Sequence, residues 1–220
     1  MTTIADNLEL VRRRIAEAAA AAGRRAEEVT LVAVSKTVEI PGLEAALAAG
    51  QRLFGENRVQ EAEAKWPPLK SRHPDLRLRL IGPLQTNKAK EAVRLFDVIE
   101  TVDRPRLLEA LVKAADQAGR RPHVLVQVNI GREPQKAGVD PDAADALIAA
   151  VRASGLPLDG VMCIPPAEGD PAPFFDRLAE IARRNRLDQL SMGMSGDFEI
   201  AIRRGATHVR VGSAIFGARG

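Results

Sequence analysis

Leu31-Val32-Ala33-Val34-Ser35-Lys36-Thr37 is a run of four apolar residues closed by three polar ones. The apolar positions are consecutive rather than alternating. That pattern reads as a short strand over 31–35 that is buried on both faces. Upstream, Ile4, Leu8, Val11, Ile15 and Ala19 recur at spacings of three and four, the stripe of a helix. Thr3 with Asp6 three positions later reads as its N-cap, and Gly23 as its end. Downstream, Pro41-Gly42 opens a second helix over 43–49, which Gly50 closes.

The same unit then repeats along the chain. Strands are predicted at 52–55, 76–81, 96–101, 124–130, 158–164, 189–192 and 208–212. Between them helices are predicted at 59–66, 87–95, 104–118, 141–153, 173–185 and 196–204. Pro67-Pro68 is taken to stop the helix that begins at Val59. Eight apolar strands alternating with helices imply a parallel sheet covered by helices. The count of eight points to a single (β/α)8 TIM barrel of the α/β class, occupying 1–220 as one domain. It carries an extra N-terminal helix and no second β-domain. An open doubly wound sheet is the structural alternative, but no Gly-x-Gly-x-x-Gly follows a strand to support a dinucleotide site.

Composition narrows the function. The 220 residues carry 45% hydrophobic and 28% charged side chains, with a net charge of +3. Arg and Glu are interspersed, so no basic block argues for nucleic acid. No apolar stretch approaches the roughly 20 residues of a membrane span. Asp6, Glu9 and Glu17 argue against a transit peptide, and a cytoplasmic protein is expected. The single cysteine, Cys163, excludes an intrachain disulfide, and its apolar neighbours predict a buried structural thiol. His73, His123 and His208 lack metal-ligand spacing, so no metal is expected.

In a barrel of this kind chemistry sits where strands end. Lys36 ends the first strand, where a half-desolvated amine can attack an aldehyde. A solvated or salt-bridged lysine is the plainer reading of that residue alone. Gly55-Glu56-Asn57-Arg58 follows the second strand, and Gly82-Pro83-Leu84-Gln85-Thr86-Asn87-Lys88 the third. Val128-Asn129-Ile130 ends the fifth, followed by Glu133, Lys136 and Gly138. Each of these could be a simple capping loop. The last two loops say more. Ser191-Met192-Gly193-Met194-Ser195-Gly196-Asp197 gathers hydroxyls and glycines ahead of a helix, and Arg210-Val211-Gly212-Ser213-Ala214 follows the eighth strand. Loops after strands seven and eight often bind phosphate in this fold. A phosphorylated aldehyde would use both the amine and the anion loops.

Together with Val34-Ser35-Lys36-Thr37, Phe54-Gly55-Glu56-Asn57 and Gly160-Val161-Met162-Cys163-Ile164-Pro165, these motifs resemble the pyridoxal phosphate homeostasis protein family, the YggS/PROSC group. The resemblance runs nearly end to end. It implies an alanine-racemase-like barrel holding pyridoxal 5′-phosphate (PLP) as a Schiff base on Lys36. It further implies that Asn57 lies near the pyridoxal ring, that Ser191, Ser195, Gly212 and Ser213 surround the phosphate, and that Arg210 faces the pyridine nitrogen. Val34, Met162 and Met194 complete the expected contacts. An arginine at the ring nitrogen keeps that nitrogen unprotonated and makes the ring a poorer electron sink. The chain departs from the family pattern at Arg79-Leu80, where His-Phe is usual, and at Arg58, where an aromatic is frequent.

Three functions compete. The first is a carrier that holds and delivers PLP to PLP-dependent apo-enzymes as a monomer, with no catalytic residue. In it Lys136 is a candidate second amine that accepts the cofactor during transfer, or else a solvated loop lysine. The second is a weakly active amino-acid racemase or lyase. Racemases of this fold take their second base from a tyrosine on another domain, and this chain has no tyrosine. The third is an aldolase using Lys36 against a sugar phosphate.

Overall fold

A computed structural model describes residues 3–217. Its eight strands are β1 (Thr30–Val34), β2 (Leu53–Glu56), β3 (Arg77–Leu80), β4 (Val98–Val102), β5 (His123–Val128), β6 (Leu158–Cys163), β7 (Gln189–Met194) and β8 (His208–Val211). Each pairs in parallel with the next, and β8 returns to β1 through Val32↔Arg210 and Ala33↔Val211. The barrel is therefore closed, with no unpaired edge among the described strands.

Helices α2 (Ile40–Ala48), α3 (Val59–Arg72), α4 (Ala89–Leu95), α5 (Pro105–Ala118), α6 (Ala144–Ala153), α7 (Ala172–Arg184) and α8 (Phe198–Arg203) connect the strands. Helix α1 (Ile4–Ala21) precedes β1, and a one-turn helix, α9 (Ser213–Phe216), follows β8. The α1 cap forms as the sequence predicts. Thr3 Oγ1 accepts the Asp6 N–H at 3.1 Å, and Asp6 Oδ2 accepts the Thr3 N–H at 2.9 Å. Its apolar stripe, Leu8, Val11, Ile15, Ala18 and Ala19, is buried.

One boundary differs in kind. Helix α3 does not stop at Pro67-Pro68 but runs through them to Arg72. The prolines withhold two backbone N–H groups. Trp66 and Leu69 flank them and are fully buried. Burial of side chains this size contributes about 1.5–3 kcal/mol each, which offsets the missing bonds. The Trp66 indole N–H also donates to Glu56 Oε1 at 2.8 Å.

Strand β7 extends two residues past the predicted end, to Met194. Gly193 permits this. Its φ is +90°, and a Cβ there would lie 2.6 Å from Ala201 Cβ and 2.9 Å from Phe198 Cα. The strand thus bends under α8 and carries Met194 and Ser195 to the mouth. Helix α9 is too short to announce itself by periodicity.

Candidate functional site

At the C-terminal ends of the strands lies a cavity of about 860 Å³, in the range of small-molecule sites. Val34, Lys36, Asn57, Met194, Ser195, Arg210, Gly212 and Ser213 line it. Each was singled out from sequence. Ile81 and Ile164, which follow β3 and β6, add apolar walls that the sequence reading missed. The rule that strand ends face the mouth would have found both.

Lys36 sits on a loop that is held by its backbone. Lys65 Nζ, on α3, donates to the Ser35 carbonyl at 2.9 Å and pairs with Glu56 and Glu61, each at 2.9 Å. Glu61 Oε1 accepts the Thr37 N–H at 2.5 Å. Thr37 has a φ of +62°, a conformation uncommon outside glycine, and this bond fixes it there. The Ser35 hydroxyl donates to the fully buried Glu56 at 2.8 Å. By contrast, Lys36 Nζ has no hydrogen-bond or ion-pair partner among the described residues. The backbone is pinned, while the amine is left open to the cavity.

The loops after β7 and β8 form another part of the wall. The Gly212 N–H donates to Ser195 Oγ at 3.3 Å, and the Met194 N–H to Asp197 Oδ1 at 2.6 Å. The first bond ties the two loops together, and the second closes a turn within the β7 loop. Helix α1 braces them from outside. Asn7 Nδ2 donates to the Ile215 carbonyl at 2.9 Å, and Arg14 pairs with Glu199 while its guanidinium lies 4.7 Å from the Phe198 ring. On the Asn57 side, Gly82 packs so closely on the Asn57 backbone that any Cβ would collide with the carbonyl.

Three expected site residues stand apart from the cavity wall. Met162 and Ser191 are fully buried and pair with each other in the β6–β7 register. Neither lines the cavity. The Ser191 hydroxyl donates to Glu100 Oε2 at 2.5 Å and accepts from Arg210 Nη1 at 2.8 Å. Lys136 is also absent from the lining. Its ammonium is 2.5 Å from Glu133 and donates to the Pro165 carbonyl at 2.9 Å. Cys163 is buried, as expected, and burial pushes its thiol up to about 12. No group of three His, Cys, Asp or Glu suited to a metal occurs among the described residues. No described helix is long and apolar enough to cross a membrane.

The arrangement of a free amine, apolar walls and hydroxyl-bearing loops suits a phosphorylated aldehyde with a flat ring. The family model for the alanine racemase N-terminal domain matches residues 4–220. A pyridoxal phosphate homeostasis protein of Pseudomonas aeruginosa is 43% identical over 228 residues, covering 100% of this chain and 97% of that one. The Escherichia coli protein of the same name is 41% identical over 234 residues, covering 100% and 98%. The chain belongs to the pyridoxal phosphate homeostasis protein family. Among solved structures of this family, PipY of Synechococcus elongatus with PLP bound is 39% identical with a TM-score of 0.80, covering 92% of this chain and 100% of that one. An alanine racemase of Clostridium difficile, 13% identical with a TM-score of 0.74, shares the barrel over 57% of its own length. The family member described here is thus a barrel of the racemase type.

Proposed function

We propose that this chain binds pyridoxal 5′-phosphate through Lys36 and holds it for delivery to PLP-dependent apo-enzymes rather than turning over a substrate. The observation that carries this reading is the Lys36 amine, without a partner among the described residues, in a cavity whose other loops present Ser195, Gly212 and Ser213. The PLP-bound relative of the same fold supports the choice of ligand. Bound PLP would supply an aldehyde, and Lys36 would supply the amine that holds it as a Schiff base, with water as the leaving product. Ser195 and Ser213 would hold the phosphate with their hydroxyls and with the open N–H groups of Ser213 and Ala214, at the start of the helical turn that Gly212 caps. Asn57 and Ile164 would wall the ring, and Arg210, a donor only, would address its nitrogen. Met162 and Ser191 support the site from behind its wall.

A carrier role rests on what surrounds Lys36. Among the lining residues the remaining ionisable groups are Arg210 and the exposed Glu39, and the sequence contains no tyrosine. We further propose that the chain works as a monomer in the cytoplasm. The test is an absorbance spectrum with added PLP, before and after borohydride, beside Lys36→Ala. A visible band trapped by borohydride on the Lys36 peptide is the expected result. No band, or one unchanged in Lys36→Ala, removes the reading and favours a sugar phosphate. Steady turnover of an amino acid by the loaded protein would remove the carrier role.

A further inference from the structure

Behind the cavity wall runs a line of charges that binding alone does not require. Arg79, on β3, donates from Nε to Glu100 Oε1 on β4, and from Nη2 to Gln189 Oε1 on β7 at 3.0 Å. The other Glu100 oxygen accepts the Ser191 hydroxyl at 2.5 Å. Ser191 in turn accepts from Arg210 Nη1 at 2.8 Å, while Arg210 Nη2 donates to the Cys163 carbonyl at 2.7 Å. Glu100 and Ser191 are fully buried, and Arg79 and Arg210 are each 3% exposed. Of the four, only Arg210 reaches the cavity.

Chemistry fixes the direction of every hydrogen in this line. A guanidinium only donates, so the Ser191 oxygen must accept from Arg210. The serine hydrogen then points to Glu100, which must be ionised to accept from both sides. Burial would push the Glu100 carboxyl up, but Arg79 first, then Arg210 and the Ser191 bond, hold it below the usual carboxylate range. His208, on β8, faces the same group. Burial pushes its imidazole down to about 4, so it is neutral at pH 7 and supplies no cation.

The line therefore contains two guanidinium groups and one carboxylate. Removing Arg79 would leave Glu100 with Arg210 as its one nearby cation. A buried carboxylate draws such a partner strongly, because neither is solvated. Arg210 would then leave the Cys163 carbonyl and turn from the cavity onto Glu100.

We propose that the Arg79–Glu100 ion pair is a positioning unit that keeps Arg210 turned to the cavity. Arg79 occupies one carboxylate oxygen and Ser191 the other, so Glu100 steadies Arg210 through a hydroxyl instead of capturing it. The proposal rests on the reading of the cavity as a PLP site, in which Arg210 addresses the ring.

The test has a loaded arm and a ligand-free arm. In the loaded arm, PLP is titrated into the full chain and followed by absorbance. Arg79→Met weakens binding by about tenfold or more. Adding Glu100→Gln to it removes the unmatched charge but keeps an acceptor for Ser191, and binding returns to within about threefold of the parent. A merely structural Arg79 gives a double variant at least as weak as Arg79→Met, and that result overturns the proposal. Should Arg79→Met not fold, Arg79→Lys and the double variant carry the test. Both are expected within about threefold of the parent, and a loss of about tenfold in both overturns it. In the ligand-free arm, crystal structures of the parent and of Arg79→Met (of Arg79→Lys if the former does not fold) locate Arg210. It is expected against Glu100 in Arg79→Met, and against Ser191 and Cys163 in the parent and Arg79→Lys. Arg210 unmoved in Arg79→Met, or displaced in Arg79→Lys, overturns the proposal. This arm needs no cofactor. Absence of a borohydride-trapped Lys36 adduct in the parent would defeat the PLP reading alone, and the crystal structures would still decide the placement of Arg210.

Discussion

At the mouth of the barrel Lys36 carries an amine with no partner among the described residues, whereas behind the wall the charges of Arg79, Glu100 and Arg210 are all engaged. The two regions use the same kinds of group for opposite ends. A charge with internal partners fixes geometry, and a charge without one is left for a ligand. Lys136 shows that the distinction is not one of position in the chain. It too belongs to a loop after a strand, yet Glu133 and the Pro165 carbonyl occupy it.

The strongest way to break this comparison is Lys36→Ala. Complete loss of the borohydride-trapped adduct, read by peptide mass spectrometry, is expected. An adduct of undiminished yield on another lysine would show that a free amine at this position is not special. Next comes Lys65→Met, which attacks the pinned side of the Lys36 loop. It leaves Glu56, fully buried, without its cation. A destabilisation of about 3–5 kcal/mol is expected, measured by denaturant unfolding.

The interior can be probed by acid. Burial, and then Arg79, push the His208 imidazole down from 6.5 to about 4. The unfolded chain takes up that proton first as the pH falls. The His208 contribution is therefore fully present above pH 6.5 and is lost as the pH falls to about 4. Its size is on the order of 3 kcal/mol. His208→Asn should flatten the stability profile across that window, and an unchanged slope would contradict the buried setting. The smallest effect is expected from Lys136→Ala. If Lys136 is fully engaged, the trapped yield on Lys36 stays within about twofold. Transfer of PLP to an apo-enzyme should be equally unaffected, and a large loss there would instead make Lys136 the second amine of delivery.

The sequence disclosed the barrel because each β1-like run is short, apolar at successive positions and bounded by glycine or proline. It failed at α3, where Pro67-Pro68 reads as a stop and the tertiary burial of Trp66 and Leu69 decides otherwise. Eight of the ten proposed cofactor contacts line one cavity, since strand ends and motif loops are local signals. The supporting line was illegible for a different reason. Arg79 stood out as a departure from the family pattern, and Glu100 lay unnoticed inside the fourth strand. Their meeting depends on the registers of β3, β4 and β7, which no local pattern encodes. Lys65 carries no local signal either, because two of its partners, the Ser35 carbonyl and Glu56, come from other elements.

Closure of β8 onto β1 has a consequence for how such a protein is made. A ribosome delivers Lys36 with the first strand and Gly212 after the last. With PLP held as proposed, the nascent chain would display the amine for most of its synthesis with nothing opposite to retain a phosphate. Capture would wait for β8 to dock, so a truncated or stalled product would expose a lysine but sequester no aldehyde. Loading would thereby report that the barrel has closed.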